Sequence, residues 1–218
     1  MKKALSLIIA VVMCVGMFAM TALAANTNYT QNWNNGKGSS TFTDKSGGGF
    51  AVTWTLNPGG NFVGGKGWNP GSKTAVIGYN AGVFSQTSST GCSYLSLYGW
   101  TTNSLVEYYI MDNWVNYQPK EGDNKGSYTC DGQTYTLYKH QQVNQPSISG
   151  TQTFYQALSL NNSKRALGTN NTVTFATHLS KWVSAGIVSS SCSMNYQMLA
   201  FEGYESTGKG DATVWSTP

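Results

Sequence analysis

Short runs of alternating apolar and polar residues, separated by glycine- and asparagine-rich segments, constrain the fold of this chain more than any other feature of its sequence. Successive side chains of a β-strand point to opposite faces of the sheet, so a period of two predicts strands with one buried face. Turn-forming segments such as 46–49 and 57–60 separate the runs. The predicted strands cover residues 50–56, 75–79, 94–100, 105–114, 133–138, 153–160 and 194–204.

One segment, residues 172–186, has the period of a helix instead. Its apolar face is formed by Phe175, His178, Leu179, Trp182 and Val183. Polar residues at 171–174 can cap its start, and Gly186 stands where a C-terminal glycine belongs. We therefore predict an all-β protein with a single α-helix, most simply a sandwich of two antiparallel sheets, with His178 packed in the core.

Composition excludes several classes of protein. Of the 218 residues, 10% are charged and 13% are aromatic, whereas disordered chains are rich in charge and poor in aromatic residues. Lysine and arginine are scattered along the chain, so the basic patch of a protein that binds nucleic acid or anionic membranes is missing. No linker or internal repeat divides the sequence. We expect one folded domain that acts as a monomer, without nucleic acid as a partner.

The first 25 residues have the layout of a secretory signal peptide. Lys2 and Lys3 precede an apolar run over 4–19, and small residues at 22 and 24 favour cleavage after Ala24 or Ala25. A transmembrane anchor is the alternative, but the apolar run is short for one. We predict a secreted, extracellular protein whose folded domain covers 26–218 and has no membrane partner after cleavage.

Cysteine and histidine are too few for an obvious metal site. Cys14 lies in the predicted signal peptide, which leaves three cysteines, so at most one internal disulfide can form. Cys92 and Cys192 are the suggested pair, because each precedes a predicted strand in a similar turn. No pair of cysteines has the spacing of metal ligands, and there are only two histidines. We predict neither a metal nor another cofactor.

Two glutamates stand in the middle of predicted strands. Glu107 shares a strand face with Tyr109, and Glu202 shares one with Tyr196 and Tyr204, whereas Asp112 lies on the face opposite Glu107. A carboxylate in that position must be paired, hydrogen-bonded or next to a wet cleft, because an isolated buried charge is costly. Two unrelated glutamates on solvent-facing strands are the alternative interpretation.

Tyrosine placement favours a sugar-binding cleft. Tyr94, Ser96 and Tyr98 share one strand face, and Trp33 lies in a polar, asparagine-rich segment. Aromatic rings stack on the faces of sugars and phenol groups bond their hydroxyls. Ordinary core packing is the alternative, and it is the interpretation we prefer for Trp54, Trp114 and Trp182.

The motifs around these residues resemble those of the family 11 glycoside hydrolases, which are endo-1,4-β-xylanases. The two main motifs are Tyr98-Gly99-Trp100, followed by Leu105-Val106-Glu107-Tyr108-Tyr109-Ile110, and the later segment 201–208. Supporting segments occur in the family's order, at 31–33, 61–68, 144–150, 195–197 and 212–215. The resemblance extends from about Tyr29 to Trp215. It implies a β-jelly roll of two strongly bent sheets with one helix.

The resemblance also implies roles for the two glutamates. Glu107 matches the nucleophile and Glu202 the general acid/base of a retaining, double-displacement mechanism, for which the carboxyl groups lie about 5–5.5 Å apart. We expect Glu107 to stay ionised, while the pKa of Glu202 is raised, chiefly by the nearby negative charge. The implied substrates are xylan and xylo-oligosaccharides.

Further positions match the family's substrate-binding residues. Trp33 matches a stacking platform, while Tyr98, Tyr109 and Tyr196 match hydrogen-bonding tyrosines. Gln156 matches a glutamine at the base of a hairpin loop called the thumb, whose Pro146 and Ile148 would cover the substrate. Asn61 matches the residue beside the acid/base and implies a neutral-to-alkaline pH optimum. The predicted substrate-binding set is Trp33, Asn61, Tyr98, Tyr109, Pro146, Ile148, Gln156, Tyr196 and Tyr204.

The chain departs from the family's pattern at a few positions. Ser104 replaces a proline, Gln142 an arginine near the thumb, Ala157-Leu158 a Tyr-Trp pair, and Phe201 a small residue. The loss of the arginine is expected to affect substrate affinity or pH dependence. Two alternatives to a xylanase stay open: a non-catalytic xylan-binding jelly roll or inactivated relative, and a jelly-roll endoglucanase.

Overall fold

A computed structural model describes residues 27–217. The predicted signal peptide lies outside the described residues. The described part of the chain forms thirteen strands and one helix: β1 (Tyr29–Asn34), β2 (Gly38–Asp44), β3 (Gly49–Leu56), β4 (Asn61–Trp68), β5 (Val76–Gln86), β6 (Cys92–Thr102), β7 (Val106–Val115), β8 (Asp123–Cys130), β9 (Gln133–Ser147), β10 (Gly150–Asn161), β11 (Asn171–Thr174), α1 (Phe175–Ser184), β12 (Ser193–Tyr204) and β13 (Thr207–Thr217).

The strands form two sheets, as predicted. One has eight strands in the order β1-β4-β12-β6-β7-β10-β9-β8, and the other has five in the order β11-β5-β13-β3-β2. Neighbouring strands are antiparallel except β7 and β10, which run parallel with Glu107 opposite Gln156. This parallel pair is a detail that the sequence analysis did not anticipate. The all-β fold with a single helix is otherwise the predicted one.

The alternation of side chains separates two apolar clusters across the eight-stranded sheet. On β7, Tyr108 and Ile110 point into the core between the two sheets, which also holds Trp54 and Phe201. Tyr109 belongs to a second cluster on the other face of the same sheet. Its members from β6, β7 and β12 include Tyr94, Tyr98, Trp100, Met111, Tyr196 and Met198. The eight-stranded sheet therefore buries aromatic residues on both faces, and the second cluster forms the floor of a cleft.

Six observed strands were not among the predicted ones, and they fall into two kinds. Four of them, β1, β2, β8 and β11, are the edge strands of the two sheets, where few apolar side chains are needed. The other two, β4 and β13, contain several glycines. A Cβ on Gly65 would lie 2.1 Å from the carbonyl oxygen of Leu199, and one on Gly210 would lie 2.5 Å from the ring of Phe201. These glycines permit close packing inside the sheets, although they resemble turn residues in the sequence.

The helix α1 begins later than the helical pattern predicts, because residues 171–174 pair with β5 as β11. Its buried residues are Phe175, His178 and Trp182, so His178 is a core residue, as expected, and burial lowers its pKa to about 3. Gly186 follows the helix with a positive φ of 65°, as predicted. Among residues 27–217, no helix is long and apolar enough to cross a membrane.

The suggested disulfide is wrong. Cys92, Cys130 and Cys192 are all buried and free. Cys92 begins β6 and pairs with Tyr204, at the end of β12, whereas Cys192 directly precedes β12. Because β6 and β12 are antiparallel, two cysteines that precede them lie at opposite ends of the strand pair.

Candidate active site

A cleft of about 500 Å³ lies on the exposed face of the eight-stranded sheet. Ten of the eleven predicted site residues line it: Trp33, Asn61, Tyr98, Glu107, Tyr109, Pro146, Ile148, Gln156, Tyr196 and Glu202. They come from β1, β4, β6, β7, β9, β10 and β12 and the turn between β9 and β10. The eleventh, Tyr204, is not among the lining residues and is 44% exposed at the end of β12.

Glu107 is buried and accepts hydrogen bonds on both carboxylate oxygens. The hydroxyls of Tyr98 and Tyr109 donate to its Oε1 over 2.7 Å and 3.3 Å, and Nε2 of Gln156 donates to its Oε2 over 2.7 Å. Burial raises the pKa of Glu107 above the ordinary carboxyl value, while the bonds from Gln156, Tyr98 and Tyr109 lower it. These three donors favour the ionised form against the effect of burial.

Glu202 has the opposite surroundings in the same cleft. Its buried Oε2 has no hydrogen-bond partner among residues 27–217. Burial raises the pKa of Glu202 to about 8, and the negative charge of Glu107 adds to the rise, while Tyr109 and Asn61 oppose it. Burial therefore contributes more to the raised pKa of Glu202 than the neighbouring charge, which was the predicted main cause.

The two glutamates therefore offer different chemistry to one bound molecule. At neutral pH a group with a pKa of about 8 is protonated, so Glu202 presents an acidic O–H. Burial raises the pKa of Glu107, but its three donors oppose this rise and favour the carboxylate form. Two carboxyl groups whose environments push their pKa values apart are typical of an acid/base pair.

Comparisons with known proteins identify the family of this chain. The model of the glycosyl hydrolases family 11 matches residues 25–213. The chain belongs to this family. Endo-1,4-beta-xylanase 3 of Pyricularia oryzae is 45% identical over 87% of this chain and 77% of its own length. Endo-1,4-beta-xylanase A of Schizophyllum commune is 43% identical over 85% of this chain and 93% of its own length.

A solved structure supports the same assignment. It comes from a structural comparison of two major endo-1,4-beta-xylanases of Trichoderma reesei, and it superposes with a TM-score of 0.76. The two chains are 44% identical, and the match covers 87% of this chain and 99% of the other. Membership of the family makes this protein a glycoside hydrolase.

The aromatic side of this family 11 cleft is built around Tyr196 and Trp33. The ring of Tyr196 stacks on that of Tyr29, with centroids 4.8 Å apart and planes 13° apart. The hydroxyl of Tyr29 donates to Oε1 of Gln31 over 2.7 Å, and Gln31 also lines the cleft. Trp33 is 39% exposed, which leaves its ring available for stacking on a sugar.

The β9–β10 hairpin supplies the other wall of the cleft. Pro146 and Ile148 line the cleft from its tip, in the place predicted for the thumb. Oγ of Ser147 donates to the carbonyl oxygen of Gly150 over 2.7 Å, and Gly150 has a positive φ of 80°. This tight turn fixes the direction in which the tip projects.

Seven lining residues were not in the predicted set: Gln31, Val63, Trp100, Gln142, Gln145, Ser147 and Phe154. Trp100 donates from Nε1 to the Tyr98 hydroxyl over 3.1 Å, so it orients a donor to Glu107. Its position two residues after Tyr98, on the same strand face, was the available signal. Phe154 packs edge-on against Trp100 at 4.8 Å, and Gln145 lines the cleft near the hairpin tip.

Four of the five departures from the family's pattern, at residues 142, 157, 158 and 201, fall in or behind this cleft. Gln142 donates from Nε2 to Oε1 of Gln156 over 3.1 Å. Ala157 is buried in the core between the sheets, and Phe201 belongs to the same core. Leu158 lines a smaller cavity of about 120 Å³ that also borders Glu202 and Gln142.

One group of potential metal ligands exists within residues 27–217. Ligand atoms of Cys130, Asp131 and His178 lie within 4.8 Å of one another, and none of the three residues lines the cleft. Asp131, which was expected to be solvated, accepts hydrogen bonds from the backbone N–H and hydroxyl of Thr174 over 2.6 Å and 2.7 Å. Nδ1 of His178 is bonded to the Tyr128 hydroxyl at 2.6 Å. These contacts connect the helix to the sheet.

Proposed function

We propose that this protein is a secreted, retaining endo-1,4-β-xylanase that hydrolyses internal β-1,4 bonds of xylan. The observation that carries the proposal is the contrast within the cleft: Glu107 accepts three hydrogen bonds, whereas the buried Oε2 of Glu202 has no partner. The names of the relatives, all xylanases at 43–45% identity, support the choice of substrate.

In the first step, Glu202 protonates the glycosidic oxygen as the bond from that oxygen to the anomeric carbon breaks. A carboxylate oxygen of Glu107 forms a bond to the anomeric carbon from the opposite face, which gives a covalent glycosyl-enzyme. Tyr98, Tyr109 and Gln156 hold the Glu107 carboxylate in a single orientation. Oε2 of Glu202 has no hydrogen-bond partner among the described residues, so the leaving oxygen could take up that position.

In the second step, the ionised Glu202 takes a proton from water, whose oxygen attacks the anomeric carbon and releases Glu107. Two displacements restore the β-configuration. Retention requires the two carboxyl groups to lie about 5–5.5 Å apart, because a greater distance leaves room for a water between carboxylate and sugar. We propose that Glu107 and Glu202 meet this requirement.

Substrate stacking would come from Trp33, and the hairpin tip with Pro146 and Ile148 would cover the bound chain. Asn61 and Tyr109, which both act on the pKa of Glu202, would tune the acid. Tyr196 would bond a sugar hydroxyl. We also propose that Tyr204 binds substrate outside the main cleft.

The test is hydrolysis of a defined xylohexaose, followed by mass analysis of the products and proton NMR of the new anomeric centre. We expect internal cleavage, with the β-anomer appearing first. An α-anomer would exclude the retaining mechanism. Turnover of carboxymethylcellulose without turnover of xylan would select an endoglucanase, and xylan binding without hydrolysis would select a non-catalytic protein.

Secretion is tested separately by N-terminal sequencing of the protein from the culture medium. We expect the mature chain to begin at Ala25 or Asn26, the residues that follow the two candidate cleavage positions. Retention of the full N-terminus in a membrane fraction would favour the anchor instead.

A further inference from the structure

Gln142 lies outside the shell of residues that touch Glu107, yet it is bonded to that shell. It is on β9, opposite Phe154, two positions along the strand from His140, which is opposite Gln156. Gln142 and Gln156 are therefore diagonal neighbours on adjacent strands. Their side chains join where Nε2 of Gln142 donates to Oε1 of Gln156 over 3.1 Å.

Gln142, Gln156 and Glu107 are joined by two successive hydrogen bonds. The negative charge of Glu107 determines the direction of the bond between Gln142 and Gln156. An ionised carboxylate only accepts hydrogen bonds, so Gln156 must turn its Nε2 toward Glu107. That leaves Oε1 of Gln156 facing away from Glu107, where it needs a donor. Gln142 supplies the donor, and an acceptor at that place would instead attract Nε2 of Gln156 away from Glu107.

We propose that Gln142 is a positioning residue, whose amide fixes the orientation of Gln156 so that Gln156 donates to Glu107. We call the two hydrogen bonds from Gln142 to Gln156 and from Gln156 to Glu107 the relay. The relay fixes the orientation of the Gln156 amide without placing a positive charge near Glu107. Among the described residues, the cleft is lined by no lysine, arginine or histidine. The proposal rests on the proposed function, in which Glu107 is the nucleophile.

The relay has a consequence for the pH dependence. The groups that face Glu107 are Tyr98 from β6, Tyr109 from β7, Gln156 from β10, and Tyr196 and Glu202 from β12. The tyrosine hydroxyls have pKa values raised above their ordinary range by burial, so they stay neutral donors. Of the bonds to Glu107, the one from Gln156 lowers its pKa most. Losing the orientation of Gln156 would therefore raise the pKa of Glu107.

The experiment compares Gln142→Met, which keeps the length of the side chain but cannot donate, with Gln142→Arg, which donates and adds a positive charge. The pKa of Glu107 is measured by carbon-13 NMR titration of carboxyl-labelled protein, and the acid limb of kcat/KM on xylan is measured in parallel. For Gln142→Met we expect both to move upward by about 0.5–1 pH unit, as for the loss of one hydrogen bond to a charged form. For Gln142→Arg we expect both to move downward.

Gln141→Met is the matched control. Gln141 is the neighbouring residue on β9, it is exposed and it does not line the cleft, so neither the titration nor the acid limb should move. Unchanged values in Gln142→Met, with an unchanged thermal midpoint, would overturn the relay. A lower thermal midpoint in Gln142→Met without a shift in the titration would give Gln142 a merely structural role and would also overturn it.

The NMR titration does not depend on turnover. A wild-type protein that fails to cleave xylan would contradict the proposed function. A pKa of Glu107 that stays the same when residue 142 is substituted would contradict the relay alone. Gln142→Glu provides an independent check, because its carboxylate is an acceptor and should raise the pKa of Glu107 further than Gln142→Met does.

Discussion

Asp112 and Glu107 both lie on β7, five positions apart and therefore on opposite faces of the sheet. Asp112 faces the core, where it accepts hydrogen bonds from Tyr79 and Tyr135 over 2.6 Å and pairs with Arg165 at 3.1 Å. Across the sheet, Glu107 shares the cleft with Glu202, whose Oε2 has no hydrogen-bond partner in the part of the chain that the structure describes. Strand β7 thus carries Asp112, whose carboxylate is partnered within the core, and Glu107, whose carboxylate faces the cleft that it shares with Glu202.

The comparison teaches that burial of a carboxyl group does not by itself indicate catalysis. Asp112 is 2% exposed and Glu107 is 8% exposed, so exposure barely separates them. What separates them is the balancing charge: Arg165 neutralises Asp112, whereas the neighbour of Glu107 is a second carboxyl group. A buried acid with a cation stabilises structure, and a pair of acids without one is available for proton transfer.

The largest expected effect separates the two glutamates. Glu107→Gln should lower kcat/KM on xylan by at least about 10⁴-fold, because it removes the proposed nucleophile. Glu202→Gln should cause a similar loss on xylan but recover most of the rate on an aryl xylobioside with a 2,4-dinitrophenolate leaving group, which departs without a proton. Steady-state kinetics on both substrates measures this. Recovery by Glu107→Gln on the aryl substrate would reverse the assigned roles.

The next effect concerns stability and tests the other face of β7. Asp112→Asn should lower the free energy of unfolding by about 3–5 kcal/mol, because it leaves the guanidinium of Arg165 buried without its counter-charge. Urea denaturation measures this loss. Below the transition, kcat on xylan should be unchanged. If Asp112→Asn instead abolished turnover in a folded protein, the division between the two faces would be wrong.

A smaller effect follows from the raised pKa of Glu202. The acid must be protonated to act, so kcat/KM should fall as pH rises through about 8. Asn61 beside Glu202 accords with the expected neutral-to-alkaline optimum. Rate measurements between pH 4 and 10 test both expectations. A maximum below about pH 4.5 would contradict them, since that is near the pKa of an unperturbed carboxyl group.

The same proton affects stability. The folded protein binds the proton of Glu202 more tightly than the unfolded chain does, since the pKa is raised from 4.5 to about 8. The resulting stabilisation is complete below the ordinary carboxyl range and is lost as pH rises through about 8. In Glu202→Gln, residue 202 does not titrate, so this loss does not occur. Between pH 5 and 9, the free energy of unfolding of Glu202→Gln should therefore rise relative to that of the wild type. Parallel curves for the two proteins would contradict this.

The alternation of apolar and polar residues predicted the all-β fold and the strand faces that form most of the cleft. Alternation assigned the faces of β6, β7 and β12, so Glu107, Tyr98 and Tyr196 were placed on faces that the structure puts in one cleft. Edge strands carry too few apolar residues for that pattern, and the glycines of β4 serve close packing that only the neighbouring strand reveals. Alternation therefore predicted most of the interior strands and missed the four edge strands and the two glycine-containing interior strands, β4 and β13.

The meeting of the two glutamates could not be derived from alternation. Glu202 pairs with Tyr94 of β6, while Glu107 pairs with Trp100 of the same strand. On a flat sheet these positions are about 20 Å apart along the strand. Both carboxyl groups nevertheless lie near the hydroxyl of Tyr109, which acts on the pKa values of both. Only the family resemblance predicted this pairing.

The smallest expected effect compares two exposed aromatic residues, one that lines the cleft and one that does not. Trp33 is 39% exposed and lines the cleft, whereas Tyr204 is 44% exposed and does not. Trp33→Ala should raise KM for both xylotriose and xylohexaose about tenfold, because stacking within the cleft is lost for every substrate. Tyr204→Ala should raise KM about twofold to threefold for xylohexaose alone, because only a long chain reaches the end of β12. Equal effects of Tyr204→Ala on both substrates would place Tyr204 inside the cleft, and no effect on either would remove it from the binding surface.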